Sequence, residues 1–70
     1  MGRVAAIGES YRVEGLRLAG VLVLPGEDGP EVRTSWASVP DDVCVVMLTP
    51  AAAEALEPVR HARLTVVLPP

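Results

Sequence analysis

Residues 3–20 read R-V-A-A-I-G-E-S-Y-R-V-E-G-L-R-L-A-G, and the change of period inside this stretch decides the fold. It opens on the apolar run Val4-Ala5-Ala6-Ile7, too short for a core helix and bounded at once by Gly8. After Gly8-Glu9-Ser10 the spacing becomes helical, with Val13, Leu16 and Ala19 at i, i+3 and i+6 on one face. That spacing predicts a first helix over residues 11–19, with Ser10 as its N-cap and Gly20 as its stop. Val21-Leu22-Val23-Leu24 then begins a second apolar run. Strand, helix and strand in so short a span make a βαβ unit with the second strand parallel to the first. Gly15 inside the helix costs about 1 kcal/mol relative to alanine, and close packing on the sheet is the expected reason for it.

The pattern continues outward from this unit. Apolar runs at 43–48 and 64–68 join those at 4–7 and 21–24, interrupted only by Thr65. Unbroken runs of Val and Leu fit strands covered on both faces, as in a parallel sheet. The intervening segments 8–20, 25–42 and 49–63 are each long enough for a crossover helix. In the second of these, P-G-E-D-G-P makes a turn and Pro30 is the expected first helical residue. Val32, Trp36 and Val39 form its apolar stripe, and Pro40 ends it. In the third, Thr49 as N-cap and Pro50 at the first helical position open an alanine-rich helix. Ala52, Ala53 and Leu56 should face the sheet, Glu54 and Glu57 water, and Pro58 should close the helix, with V-R-H-A-R leading into the last strand.

Composition bounds what such a chain can do. The 70 residues make one small domain over 1–70. A domain of this size buries roughly 60% of the surface that its unfolded chain exposes, so its stability is marginal. Half the residues are hydrophobic, with Tyr11 and Trp36 as the aromatic residues, so the core must come from Val, Leu and Ala. A net charge of −3 argues against a nucleic-acid partner. All basic residues are Arg, and Lys, Asn, Gln and Phe are absent; a genome rich in G and C, hence a bacterial source, explains this better than selection for bidentate contacts. Cys44 stands alone, which excludes a disulfide framework. The first residues lack a leader's apolar core, and no run approaches the roughly 20 residues that span a bilayer, so the chain is expected to be cytoplasmic and to reach a membrane only through a partner.

Residues 6–9, A-I-G-E, followed after a short gap by V-E-G-L-R-L-A-G at 13–20, resemble the start of the F subunit of the V-type (archaeal and bacterial A/V-type) rotary ATPases. That family opens with an apolar strand ending in Ile-Gly-Asp and continues into a Gly-Phe-Arg-Leu-Ala-Gly-like helix. Here Glu9 replaces the aspartate and Leu16 the phenylalanine, and the second connection is shorter and less charged than the family's. The resemblance is dense over residues 6–20 and looser, at the level of strand spacing, beyond. It implies a four-stranded parallel sheet of order 2-1-3-4. Right-handed crossovers then place helix one on one face and helices two and three on the other, an α/β doubly wound sheet of flavodoxin-like topology. It further implies a non-catalytic member of the central stalk, bound to the coiled-coil stalk subunit (the D subunit) and turning with the rotor. Such a component modulates the coupling of ATP chemistry to ion transport, and Glu9, Leu16, Arg17 and Trp36 are its candidate interface residues.

Ligands of such sheets bind beyond the carboxyl ends of the strands, where the strand order reverses. A phosphoacceptor receiver of this topology needs an acidic pair after strand one, an aspartate ending strand three and a lysine ending strand four. The chain offers Glu9, Thr49 and Pro69 instead. Gly8 alone near the first turn writes neither G-x-G-x-x-G nor a P-loop, and a carboxylate at Glu9 would repel a flavin phosphate. No cofactor, metal or catalytic residue is therefore expected. Cys44, between Val43 and Val45, is expected as a buried inert thiol, and His61, between two arginines, as a structural or solvent-facing side chain. Glu9 reads either as a carboxylate at a helix start or as a contact residue. Arg17 reads as a surface pair with Glu14 or a fixed interface residue, and Trp36 as a core anchor or a binding hot spot.

A free-standing α/β signalling or ligand-binding module is the second reading, and an enzyme a distant third for want of any acid–base or nucleophile pair. Members of the stalk family continue past the fourth strand into a C-terminal helix, whereas this sequence stops at Pro69-Pro70. Some of the strand-three residues Val43, Val45 and Met47 or Cys44, Val46 and Leu48 should then lie bare, as should residues such as Val66 and Val67 on strand four. Self-association through that face or the edge of strand four is expected, or else a missing segment that covers it.

Overall fold

The computed structural model describes residues 2–57 and 59–70, apart from the side chains of Arg60 and His61. The expected roles of Pro58 and His61 lie outside the described residues. Four strands, β1 (Arg3–Gly8), β2 (Leu22–Pro25), β3 (Val43–Leu48) and β4 (Thr65–Val67), form one sheet of order β2-β1-β3-β4. All three pairings are parallel. The helices are α1 (Ser10–Val13), α2 (Gly29–Ala37) and α3 (Pro50–Ala55), with 3-10 segments at Glu14–Ala19 and Val59–Ala62. This is the α/β doubly wound, flavodoxin-like sheet expected from the strand spacing and the resemblance. Among the described residues no helix is long and apolar enough to cross a membrane.

Most of the core lies on one face. Ala5 and Ile7 of β1 and Val46 and Leu48 of β3 meet Val32 and Val39 from α2 and its end, and Ala52, Ala53 and Leu56 from α3. The stripes read from the sequence for α2 and α3 are thus the packed ones, and Trp36 is half-buried against this cluster, as a core anchor would be. On the opposite face Val13 is fully buried, as is Ala6, and neither belongs to that cluster.

Both longer helices start as their sequences require. Asp28 caps α2 by accepting the Glu31 amide at 2.9 Å, and Glu31 reaches back to the Glu27 amide at 2.8 Å. The helix begins at Gly29, one residue before Pro30. Thr49 caps α3 through its hydroxyl and the Ala52 amide, with Pro50 at the first position.

The first helix departs from expectation in three ways. It is α-helical only over Ser10–Val13 and tightens into the 3-10 segment, so the single α-helix over 11–19 is not formed. Glu9, not Ser10, holds the N-cap position, and no side chain caps it; the Ser10 amide is instead taken by Glu27 Oε2 at 2.8 Å. Of Val13, Leu16 and Ala19 only Val13 is buried, with Leu16 half-buried and Ala19 exposed. Gly15 is exposed, and a β-carbon added there would meet nothing within 4 Å, so close packing does not explain it. Gly20 does stop the segment, at φ 84°, with its amide bonded to the Arg17 carbonyl and that of Val21 to the Leu16 carbonyl, a Schellman motif.

Cys44 is exposed, which overturns its reading as a buried thiol. The β1–β3 register explains this: Arg3 pairs with Val43 but Val4 with Val45, so Cys44 is the extra residue at a slip. Its thiol lies 3.3 Å from the Arg3 carbonyl. The same slip breaks the two expected facing sets, burying Val43, Val46 and Leu48 on the α2–α3 face and leaving Cys44, Val45 and Met47 less covered. Arg3 and Asp42 strap the slip with paired contacts of 2.8 and 3.0 Å, and the guanidinium holds the Asp42 carboxyl below its usual range, chiefly by hydrogen bonding.

Candidate functional site

The strand order reverses between β1 and β3, and the groups there belong to Gly8-Glu9-Ser10 and Thr49-Pro50, with the loop after β2 alongside. Glu9 leaves β1 at the start of α1, and its Oε1 accepts the Thr49 hydroxyl proton at 2.6 Å. Thr49 is fully buried and accepts the Ala52 amide at the same time, so one hydroxyl ties the exit of β1 to the start of α3. Gly8 makes room for this: a β-carbon there would overlap Thr49 Cγ2 and stand 2.7 Å from its hydroxyl oxygen.

The carboxylates around this end are engaged with the backbone or with hydroxyls. Glu27 takes the Ser10 amide, Glu31 the Glu27 amide, Asp28 the Glu31 amide and Glu9 the Thr49 hydroxyl. Each satisfies a donor at or next to a helix start. Together they form an anionic rim that would repel a phosphate, in keeping with the missing glycine-rich loop. Among the described residues no group of three or more His, Cys, Asp or Glu could hold a metal ion. Glu9 and Thr49 form a carboxylate–hydroxyl pair whose bonds position the starts of α1 and α3.

Donation from Thr49, with a smaller backbone contribution, holds the Glu9 carboxyl below its usual range. A carboxylate whose folded pKa is depressed adds stability that is present above its unfolded value and is lost as pH falls through the folded one. Thr49→Val should therefore cost about 1 kcal/mol at neutral pH through the lost cap. It should also show a smaller further loss than wild type between about pH 5 and pH 3. Urea unfolding midpoints at both ends of that range check this; equal acid slopes would contradict the role given to Glu9.

The candidate interface residues do not gather into one patch. Glu9 joins Thr49 at the carboxyl end, Leu16 and Arg17 lie in the 3-10 segment on the α1 face, and Trp36 packs with α2 on the other face. Arg17 pairs with Glu14 at 2.7 Å, and both side chains are more than half exposed. Those two line a cleft of about 120 Å³ with Gly8, Ser10, Val13 and the β2 end. That is well short of the roughly 300–1,000 Å³ of pockets that enclose small molecules. Two residues passed over in the sequence are prominent here: Leu18 is 96% exposed and Tyr11 82%. Leu18 stands two places after Leu16, off the helical face, so its exposure was readable from the spacing. Arg12 reaches from α1 past β3 to the Pro69 carbonyl, a contact that no local spacing announces.

Set against family models, curated proteins and solved structures, the chain matches none.

Proposed function

We propose that the chain is a non-catalytic component of the central stalk of a V-type rotary ATPase or ATP synthase, the role that the resemblance in residues 6–20 implies. The observation that carries this reading is the 3-10 segment Glu14–Ala19. It holds all but the closing glycine of the family-like G-L-R-L-A-G run, buries none of its residues fully, and sets Leu18 and Arg17 toward solvent. A segment that leaves Leu18 and Ala19 exposed and Leu16 only half-buried is suited to a partner. The parallel 2-1-3-4 sheet is the one that the resemblance implies, which supports the reading. In this reading the segment grips the coiled-coil stalk subunit, and the domain turns with the rotor in the cytoplasm, reaching the membrane only through the complex.

Binding to the coiled-coil stalk subunit from the same genome tests this by calorimetry. Arg17→Ala should weaken binding more than about tenfold, as removal of an interface anchor does. Leu18→Asp should do the same while leaving the fold unchanged, since Leu18 contributes almost nothing to the interior. The purified chain should show no ATP hydrolysis and no phosphorylation by acetyl phosphate; a stoichiometric phosphoryl adduct in mass spectrometry would contradict the reading.

A further inference from the structure

Among the described residues no strand pairs with the outer edge of β4, and its backbone is phased for another strand. The Val46 amide donates to the Leu64 carbonyl at 3.0 Å and the Leu68 amide to the Leu48 carbonyl at 2.8 Å. With Val66 paired to Met47 between them, residues 64, 66 and 68 turn their backbone groups toward β3. Thr65 and Val67 therefore turn theirs to the open side. Val66 lies with Met47 on the α1 face and is half-exposed, and Leu64 beside the strand is 69% exposed. L-T-V-V-L at 64–68 contains no charge and no proline, the devices that ordinarily protect a sheet edge.

We infer that this edge pairs with a second copy of the same chain, the two β4 strands running antiparallel about a two-fold axis at Val66. In that register the Thr65 amide donates to the partner's Val67 carbonyl and the partner's Val67 amide to the Thr65 carbonyl. The axis repeats both bonds, so every outward donor and acceptor of β4 is satisfied. Val66 meets its own copy and Leu64 meets Leu68, apolar pairs on one face beside Met47. Moving the axis to Val67 would set Thr65 against Pro69, which has no amide proton and whose carbonyl Arg12 already holds. Moving it to Thr65 would set Val67 against Arg63. With the axis at Val66 the contact is self-complementary, as an isologous contact between two copies requires. The uncharged edge also spares two chains of net charge −3 the repulsion they would meet elsewhere. This contact is separate from the 3-10 segment proposed for the stalk, so either can fail without the other.

Sedimentation equilibrium of the 70-residue protein from micromolar concentrations upward should show a reversible monomer–dimer equilibrium. Val66→Lys sets two ammonium groups across the axis from a position that the monomer leaves half-exposed. It should raise the dissociation constant more than about tenfold, with an unchanged circular dichroism spectrum. In a Cys44→Ser background, Val66→Cys should cross-link on mild oxidation, because a non-hydrogen-bonded antiparallel pair brings Cα atoms to about 4.5 Å, within the span of a disulfide. Ala37→Cys, exposed at the end of α2, should not. A monomer throughout the range, a dimer of equal strength with lysine at 66, or equal cross-linking from position 37 would each overturn the inference.

Discussion

Gly8→Ala should lower the free energy of unfolding by about 3 kcal/mol, the sum of an overpacked site and a disturbed helix cap. The new methyl would overlap Thr49 Cγ2 and sit 2.7 Å from the hydroxyl oxygen. Thr49 has nowhere to retreat: it is fully buried, branched at Cβ, and bonded through its hydroxyl to Glu9 and the Ala52 amide. Relief must come from turning Thr49 out of its cap or moving β1 from α3, and both loosen the junction on which the carboxyl end is built. A domain of this size holds a total of only about 4–10 kcal/mol, so the loss would be a large part of it. Gly15→Ala is the matched control. With nothing within 4 Å of the added carbon, it should be neutral or stabilising by about 0.5 kcal/mol. Urea titrations followed by circular dichroism measure both, and equal effects at the two glycines would contradict the packing described at β1.

Leu56→Ala should cost about 3 kcal/mol. Leu56 is wholly buried at the end of α3, in the cluster that joins that helix to Ile7, Val46 and Leu48. The domain has few large side chains with which to close a cavity, since its core is mostly alanine and valine. Leu18→Ala removes the same atoms from a site 96% exposed and should change stability by less than about 0.5 kcal/mol. The difference between two leucines of one chain separates burial from residue type. A similar cost at both positions would mean that Leu18 packs against something within the domain.

The sheet was legible because its signals are local and strong. Four Val- and Leu-rich runs separated by crossover lengths leave few arrangements, and the order followed from the resemblance. Thr49-Pro50 and the Val32, Trp36, Val39 stripe carry their structural meaning in a few adjacent residues, and they hold in the fold. The features that differ share a cause: they depend on what lies opposite in space. Ser10 is a good N-cap by residue type, but the helix starts one residue earlier and the Arg12 and Val13 amides bond to the Glu9 carbonyl, while Glu27, distant in sequence, takes the Ser10 amide. Cys44 between two valines reads as buried, yet a one-residue slip against β1 turns it outward. Gly15 reads as a contact glycine by residue type, yet two places after Val13 it lies on the side of the turn away from the packed face, and it is exposed. The tie between Glu9 and Thr49 was half-visible, since the topology sets the ends of β1 and β3 side by side.

If the exposed G-L-R-L-A-G segment serves a partner in a rotary motor, that partner should retain the chain through purification. The most direct test co-expresses the chain with the coiled-coil stalk subunit from its own genome and purifies through a tag on that partner alone. The expected result is an equimolar complex that survives gel filtration at micromolar concentration and is lost with Leu18→Asp, whose isolated fold is intact. Recovery of the tagged partner without the chain, while each is folded, would contradict the stalk role.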